Sequence, residues 1–209
     1  SHTASIAGNH IAYDALLERL NIKKLNDLST FLETLKILHC HGELKSNKIA
    51  SVSCSGGEAA MVADLGVDLG LKFPKLNTQQ KKGLRTALGP KVALANPLDY
   101  HTYIWRDAEA MFAAWSSIVT PSLALTLYIL DYPRSDRCDL ADWKIATDVV
   151  IKVKEKTQAK IAVVSTLPEL MPEEIAEKLL RKGIVAFNGL TEALTACKAS
   201  ITRNLGPQK

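Results

Sequence analysis

The sequence predicts an α/β fold in which a parallel β-sheet carries helices on both faces. Two observations lead to this fold class. Short apolar segments, some rich in β-branched residues, recur from residue 48 onward, and segments with helical periodicity separate them. Strands that alternate with helices are joined by right-handed crossovers into a parallel sheet, and its strands are apolar because both faces are buried. Five such strands favour the flavodoxin-like, doubly wound order 2-1-3-4-5.

The first 45 residues precede this pattern and predict two helices. Apolar residues recur at helical spacing over residues 11–20 and again over residues 28–38. Asp27 or Ser29 is the candidate N-cap of the second helix, and the polar residues 39–47 predict a connection. Two helices cannot build a core alone and need another surface to pack on. We therefore predict a helical segment over residues 1–45 and a sheet domain over residues 46–209.

The elements of the sheet domain follow from the same periodicities. Apolar strand segments lie at residues 49–54, 92–95, 123–130, 161–165 and 184–187. Helical patterns lie between and after them, at residues 57–69, 78–88, 108–119, 141–156, 172–182 and 191–203. Helices thus separate the strands, as crossover connections between parallel strands require.

The composition is that of a globular protein and excludes several other classes. The 209 residues are 47% hydrophobic and 23% charged, which excludes wholesale disorder. The net charge of +4 is small and scattered, unlike the clustered charge of a nucleic-acid-binding protein. The apolar stretches are far shorter than the ~20 residues that span a bilayer, and no secretory signal is visible. The four cysteines lie far apart, with no metal spacing and no dense disulfide pattern. We expect a soluble, cytoplasmic protein that binds neither nucleic acid nor membrane.

The predicted topology also indicates where a functional site lies. Ligands of open α/β sheets bind beyond the carboxyl ends of the strands, near the point where the strand order switches. Three polar segments fall there: SCSGGE at residues 53–58, NPLD at residues 96–99 and DYP at residues 131–133.

The first of these segments predicts an anion-binding turn. A strand runs into Ser55, Gly56 and Gly57 and then directly into a helix. Glycines let backbone N–H groups approach a ligand, and the start of a helix adds partial positive charge, which suits phosphate or carboxylate. The alternative is a tight turn in which Ser55 is an ordinary N-cap. The segment is neither a Walker loop nor a GxGxxG fingerprint.

Two further candidates are weaker on their residues alone. Asn96 and Asp99 follow the predicted second strand, where a polar contact to a ligand is possible, but Asn-Pro is also a common turn initiator. His2 lies among small residues that allow close approach to its imidazole, as a phosphoryl-carrying nucleophile needs. The alternative for His2 is a remnant of cloning at the start of the chain.

Several motifs in order resemble one family of enzymes. SHTASIAG at residues 1–8 is followed by YDAL at residues 13–16, and the Ser-Gly-Gly turn by Ala63-Asp64 in its helix. GLKFPKL at residues 70–76 and NPLD at residues 96–99 complete the series. Together they resemble the phosphohistidine segment and the following domain of NDP-forming acyl-CoA synthetases, relatives of succinyl-CoA synthetase. The resemblance covers roughly the first half of the chain, and the second half matches as an α/β pattern only.

The resemblance implies roles for individual residues. It implies the phosphoryl-carrying histidine His2, the phosphate-binding residues Ser55, Gly56 and Gly57, and the substrate-binding residues Asn96 and Asp99. It implies no metal ligand in this chain. The match to the family runs on from His2 into Thr3. This continuity favours a native histidine over a cloning remnant. One departure is Ala4, where the family has glycine, and its methyl group restricts the loop slightly.

The implied reaction joins a carboxylic acid to CoA with ATP and releases ADP and phosphate. An acyl phosphate forms, CoA attacks it, and the histidine carries the phosphoryl group between separated sites. In the family a CoA-binding domain and an ATP-grasp domain or subunit supply the other sites, and this sequence contains neither. We therefore expect residues 1–45 to be the tail of a preceding domain and the chain to be a fragment or subunit of an acid–CoA ligase. On this view it forms part of an oligomer, is inactive without the missing domains, and by itself binds no ATP/ADP, CoA or Mg²⁺.

A receiver or another non-enzymatic flavodoxin-like binding module is the alternative function. Asp131 ends the third predicted strand, where a receiver has its phospho-acceptor, and Ser165 or Thr166 suits the switch position. The first strand, however, ends in Ser53 and Cys54 and offers no acidic pair for Mg²⁺. The last strand lacks the lysine that a receiver carries, so the synthetase interpretation is preferred.

Overall fold

The computed structural model describes residues 9–20 and 22–202 and has a five-stranded parallel sheet at its centre. The strands are β1 (Ile49–Ser53), β2 (Leu98–Asp99), β3 (Leu125–Ile129), β4 (Ile161–Ser165) and β5 (Val185–Asn188). Their order across the sheet is β2-β1-β3-β4-β5, and every pairing is parallel. The predicted fold class and strand order are therefore confirmed.

Eight α-helices surround the sheet in the described part of the chain. They are α1 (His10–Arg19), α2 (Leu28–His41), α3 (Gly56–Asp68), α4 (Thr78–Leu88), α5 (Ala108–Ile118), α6 (Ala141–Thr157), α7 (Glu173–Arg181) and α8 (Leu190–Ala199). A short 3₁₀ helix lies at Pro168–Leu170. The N-cap of α2 is Asp27, whose side chain accepts a hydrogen bond from the backbone of Thr30. No helix described here is both long and apolar enough to cross a membrane.

The sheet separates two hydrophobic cores because successive strand side chains point to opposite faces. Val52, Tyr128 and Val163 face α4, α5, α6 and α7. Leu127 and Val164 face the other side, where α2, α3 and α8 cover them. Four strands, β1, β3, β4 and β5, lie where they were predicted. They are buried at every residue except Asn188, which explains their largely apolar sequences.

The predicted strand at residues 92–95 is wrong, because the edge strand β2 is shorter and lies later, at Leu98–Asp99. Val92 is buried in the core but does not pair with β1. The side chain of Asn96 instead bonds the β1 backbone: its Oδ1 accepts from Ser51 N at 3.2 Å and its Nδ2 donates to Ile49 O at 3.0 Å. Proline has no N–H to donate, so backbone pairing begins after Pro97, with Leu98 opposite Val52.

Helix α2 turns a largely polar face toward the sheet domain. Thr30, Glu33, Thr34 and Ile37 are buried, and Ile37 belongs to the core shared with α8. Lys36 Nζ donates to the carbonyl oxygen of Ala186 in β5 at 2.8 Å. The predicted boundary between residues 45 and 46 remains a prediction, and α2, which precedes it, packs on the sheet domain.

Most large apolar side chains of the two N-terminal helices are exposed. Helix α1 has no buried residue. Large hydrophobic side chains that are at least 40% exposed lie on both helices. They are Ile11, Tyr13 and Leu16 in α1 and Leu28, Phe31, Leu32, Leu35 and Leu38 in α2. Those of α2 recur at helical spacing and form one continuous stripe, which we call the α2 stripe (Leu28, Phe31, Leu32, Leu35 and Leu38). Such a stripe on a surface helix is typical of a helix that packs against another structural unit.

Candidate functional site

The carboxyl ends of the strands bring the start of α3 together with residues from two other strands. Helix α3 follows β1 after a two-residue turn, and Asp99 ends β2 directly beside β1. Asp131 follows β3, the other neighbour of β1. This is the edge at which a doubly wound sheet is expected to bind ligands.

The start of α3 combines a capped helix with free N–H groups. Ser55 is the N-cap: its backbone is extended, and its Oγ lies 3.5 Å from the N–H of Glu58, which donates to it. Gly56 and Gly57 are exposed, and no described residue accepts a hydrogen bond from their N–H groups. Free N–H groups at a helix start, with the helix dipole behind them, can bind an oxyanion. The cap and the predicted anion site are therefore compatible.

Asp99 lies against this helix start. A Cβ built on Gly56 would be 3.2 Å from Asp99 Oδ2, whereas one built on Gly57 would be 3.5 Å from Ser55 Oγ, an ordinary contact. The backbone N–H of His101 donates to Asp99 Oδ1 at 2.8 Å, and the ring Nδ1 of His101 is 3.5 Å from Oδ2. The glycine at position 56 is thus what allows the carboxylate to approach so closely.

Glu58 adds a second carboxyl group in the first turn of α3. Its Oε2 is buried and has no hydrogen-bond partner in the described structure. Burial, and then the negative charges of Asp131 and Asp99, raise the pKa of Glu58 to about 7. Sequence reasoning gave Glu58 no role, since its burial depends on residues from other strands.

Asp131 is held by Thr166, which directly follows β4. Thr166 donates to it twice, from its N–H to Oδ1 at 2.6 Å and from its hydroxyl to Oδ2 at 2.5 Å. Trp143 Nε1 donates to the Asp131 carbonyl oxygen at 2.7 Å. The structure thus brings together the two positions that a receiver would use, but both carboxylate oxygens of Asp131 are engaged in hydrogen bonds.

Tyr100 and Cys54 lie close to these carboxylates. Tyr100 is 1% exposed, packs on Trp115 with ring centroids 5.9 Å apart, and has no hydrogen-bond partner for its hydroxyl in the described chain. Burial raises its pKa, and so do Cys54, Glu58 and Asp99 nearby. Burial and the charge of Glu58 also raise the pKa of the Cys54 thiol, which is therefore protonated and a poor nucleophile.

The remaining predicted site residues are not part of this cluster. The Asn96 amide bonds the first half of β1 and also donates to Pro74 O at 3.2 Å, so it acts as a link in the fold away from the carboxyl ends. His2 lies outside the described residues. The structure therefore brings together Ser55, Gly56, Gly57 and Asp99 and does not bring Asn96 to them.

The described residues hold no candidate metal cluster, and two cavities lie away from this edge. Residues 9–20 and 22–202 contain no group of three or more His, Cys, Asp or Glu side chains that could hold a metal ion. Two cavities, of about 860 and 460 Å³, lie at the opposite edge, before the strands begin, and both are lined by Lys45 and Ser46. Sequence reasoning did not predict either cavity.

Comparisons with curated proteins find ADP-forming acetate–CoA ligases. No family model matches the chain. The α subunit of acetate–CoA ligase (ADP-forming) II from Pyrococcus furiosus is 23% identical over 208 residues, which are 99% of this chain and 45% of that subunit. The acetate–CoA ligase (ADP-forming) of Methanocaldococcus jannaschii is 26% identical over 99 residues, 47% of this chain and 14% of that enzyme. The chain thus spans less than half the length of these relatives.

Solved structures show the same fold. PH0766 from Pyrococcus horikoshii OT3 superposes with a TM-score of 0.77 at 19% identity, over 93% of this chain and 44% of that one. The dinucleotide forming acetyl-coenzyme A synthetase 1 of Ca. Korarchaeum cryptofilum, in complex with phosphate and ADP, gives a TM-score of 0.73 at 18% identity, over 95% and 42%. The similarity to ADP-forming acetate–CoA ligases confirms the predicted resemblance, and the solved structures confirm the fold.

Proposed function

We propose that this chain is a fragment or subunit of an NDP-forming acyl-CoA synthetase and that the start of α3 receives a phosphoryl group carried by His2. The observation that carries the proposal is the pair of exposed N–H groups at Gly56 and Gly57, which have no acceptor in the described chain. They lie at the carboxyl edge of the sheet, at the start of a 13-residue helix. A helix start of this kind suits an oxyanion such as phosphate.

The carboxylates around this helix start suit transient rather than tight binding. Asp99 lies against Gly56, and Glu58 and Asp131 are near enough for their charges to interact. Like charges weaken the hold on a phosphoryl group, while the N–H groups and the helix dipole attract it. A group that must arrive and leave in each catalytic cycle requires such a balance.

The complete enzyme would convert a carboxylic acid, CoA and ATP to acyl-CoA, ADP and phosphate through an acyl phosphate and a phosphohistidine. This chain would contribute the histidine and one helix start. A CoA-binding domain and an ATP-grasp domain or subunit would supply the sites for CoA and for ATP with Mg²⁺. Support for partner domains comes from the relatives, of which this chain spans 45% or less.

The outward faces of α1 and α2 are where we expect the preceding domain of the synthetase to pack. The α2 stripe is exposed although α2 itself is anchored to the sheet domain through Ile37 and Lys36. In the sequence, helix α1 follows the segment that contains His2.

The proposal is tested in the complete enzyme with ATP labelled in its γ-phosphate. We expect an acid-labile label on this chain, its loss in His2→Ala, and its retention in His10→Ala. His10 is the matched control because it is an exposed histidine at the start of α1, paired with Asp14. A label that persists in His2→Ala, or a wild-type chain that takes up none, would contradict the proposed role.

A further inference from the structure

The smaller of the two cavities is lined by lysines and hydroxyl groups but by no acid. It has a volume of about 460 Å³ and lies between the segments that precede β1, β3 and β4. Its charged side chains are Lys45 and Lys160, and none of the described residues that line it is aspartate or glutamate. The larger cavity differs, because Asp14, Glu18 and Asp27 lie among its lysines. The charge of the smaller cavity therefore favours one class of ligand, an anion.

Several hydrogen-bond donors in this cavity are not used within the chain. Lys160 Nζ donates to the carbonyl oxygen of Glu43 at 2.9 Å, which leaves two of its three N–H donors. Lys45 has no hydrogen-bond or ion-pair partner in the described chain. Thr120 Oγ1 and Ser122 Oγ lie 2.8 Å apart and share one hydrogen, so the other hydroxyl hydrogen is available. Ammonium and hydroxyl groups of this kind are suitable donors to phosphate and carboxylate oxygens.

The basic groups around Lys160 repel one another. Burial lowers the pKa of Lys160, and the charge of Lys45 lowers it further. Burial also lowers the pKa of Lys154, as does the charge of Lys160, and the pKa of His41 is lowered by burial and by both of these lysines. No carboxylate of the described chain is among the groups that shift these three pKa values. Negative charge in the cavity would offset this repulsion.

We propose that this cavity is a binding site for a small polyanion, a molecule with about three or more negative charges, held by Lys45 and Lys160 and by the hydroxyl groups of Thr120 and Ser122. The volume of about 460 Å³ is within the range of about 300–1,000 Å³ of ligand pockets, so the cavity holds a molecule rather than a single ion. The two ammonium groups come from different segments and each can take one phosphate or carboxylate group. A ligand with two such groups therefore fits better than a ligand with one.

This site is separate from the start of α3. Strand β1 has five residues and spans about 16 Å at about 3.3 Å per residue, and the two sites lie at its opposite ends. A ligand at Lys45 and Lys160 is thus too far from Gly56 and Gly57 to exchange a phosphoryl group with an anion bound there. The inference goes beyond the proposed function and does not rest on it, so either can fail alone.

The experiment titrates the 209-residue chain with inorganic diphosphate at pH 8, in the absence of divalent cations, and follows the assigned backbone amides by NMR. We expect saturable shifts at Thr120, Ser122 and Lys160. If these amides do not shift, the inference is wrong. The amides of Gly56 and Gly57 report on the α3 start in the same spectra, so failure here leaves the proposed function standing.

Lys45→Gln identifies the contribution of one ammonium group. Lys45 is exposed and without a described partner, so this variant is expected to fold as the wild-type chain does. We expect its affinity for diphosphate to be about tenfold weaker, because one charge–charge interaction near the protein surface is lost. Lys45→Arg keeps the charge and should stay within about threefold of wild type.

Lys152→Gln is the matched control, since it removes one positive charge at an exposed position of α6 that does not line the cavity. We expect it to change the affinity less than twofold. An equal loss in Lys152→Gln and Lys45→Gln would show a response to net charge alone and would overturn the inference. So would a loss in Lys45→Arg as large as that in Lys45→Gln.

Sulfate distinguishes a polyanion site from a site for any small anion. Sulfate carries two charges on one group, whereas diphosphate carries about three on two groups at pH 8. We therefore expect sulfate to bind in this cavity at least about tenfold more weakly than diphosphate. Equal affinity of the cavity for the two anions would overturn the assignment to a polyanion.

Discussion

Replacing Glu58 with glutamine is expected to stabilise the fold at pH 8 much more than at pH 5. The pKa of Glu58 rises from its ordinary value of 4.5 to about 7 in the folded chain. Between these two values the folded state holds a proton that the unfolded state has released, so the free energy of unfolding falls as the pH rises. Glutamine has a similar shape and no charge, so Glu58→Gln removes this loss.

The size of the effect follows from the same shift. The rise from 4.5 to about 7 corresponds to at most about 3.5 kcal/mol at high pH, because each pKa unit is worth about 1.4 kcal/mol. Glu58 is only half-buried, and solvent screens part of that energy, so we expect about 1–2 kcal/mol. Near pH 4.5 and below, both states of the chain bind the proton and the advantage of glutamine disappears.

Urea unfolding of the wild-type chain and Glu58→Gln at pH 5 and pH 8, followed by circular dichroism, measures this difference. Glu109→Gln is the matched control, and we expect it to change the free energy of unfolding by the same small amount at both pH values. Equal stabilisation by Glu58→Gln at pH 5 and pH 8, or destabilisation at pH 8, would refute the assignment of a buried carboxyl with a raised pKa.

Three further substitutions test other parts of the structure. Gly66→Ala should lower the free energy of unfolding, measured in urea, by about 1–2 kcal/mol. The added Cβ would lie 2.6 Å from Phe73 Cζ, and this overpacking outweighs the gain in helix propensity. A more stable variant would contradict this. Asn96→Ala removes three hydrogen bonds to backbone and should cost about 2–3 kcal/mol in the same assay, whereas an unchanged urea midpoint would show that the link is dispensable. Leu35→Gln, at a side chain that is 45% exposed, should change stability by less than about 0.5 kcal/mol yet weaken assembly with the rest of the synthetase in size-exclusion chromatography. Normal assembly of that variant would exclude the α2 stripe as the contact.

The sequence predicts four of the five strands because they are buried on both faces. Strands of this kind are mostly apolar, and the segments at β1, β3, β4 and β5 show this pattern with only a few small polar residues and one asparagine among them. The edge strand β2 has two residues and pairs with β1 alone. Val92 resembles a strand residue because it is buried, but its burial comes from packing, which a one-dimensional pattern does not distinguish from pairing.

The sequence predicts the backbone turn of the candidate site but not the side chains that surround it. A Ser-Gly-Gly turn between a strand and a helix indicates an anion site from local sequence alone, and the structure places Gly56 and Gly57 at the start of α3 as expected. The approach of Asp99 to Gly56, the buried carboxyl of Glu58 and the lone hydroxyl of Tyr100 all depend on contacts between strands far apart in the chain. Such contacts leave no periodic signal in the sequence.

The central claim, that the start of α3 is the point at which this chain holds an oxyanion, is tested most directly by mapping bound sulfate on the assigned amide NMR spectrum at pH 6. We predict saturable shifts at Gly56 and Gly57, with no comparable shifts around the cavity at the opposite edge, where Lys45 and Lys198 lie. Saturable shifts at those lysines, with the two glycine amides unmoved, would contradict the account.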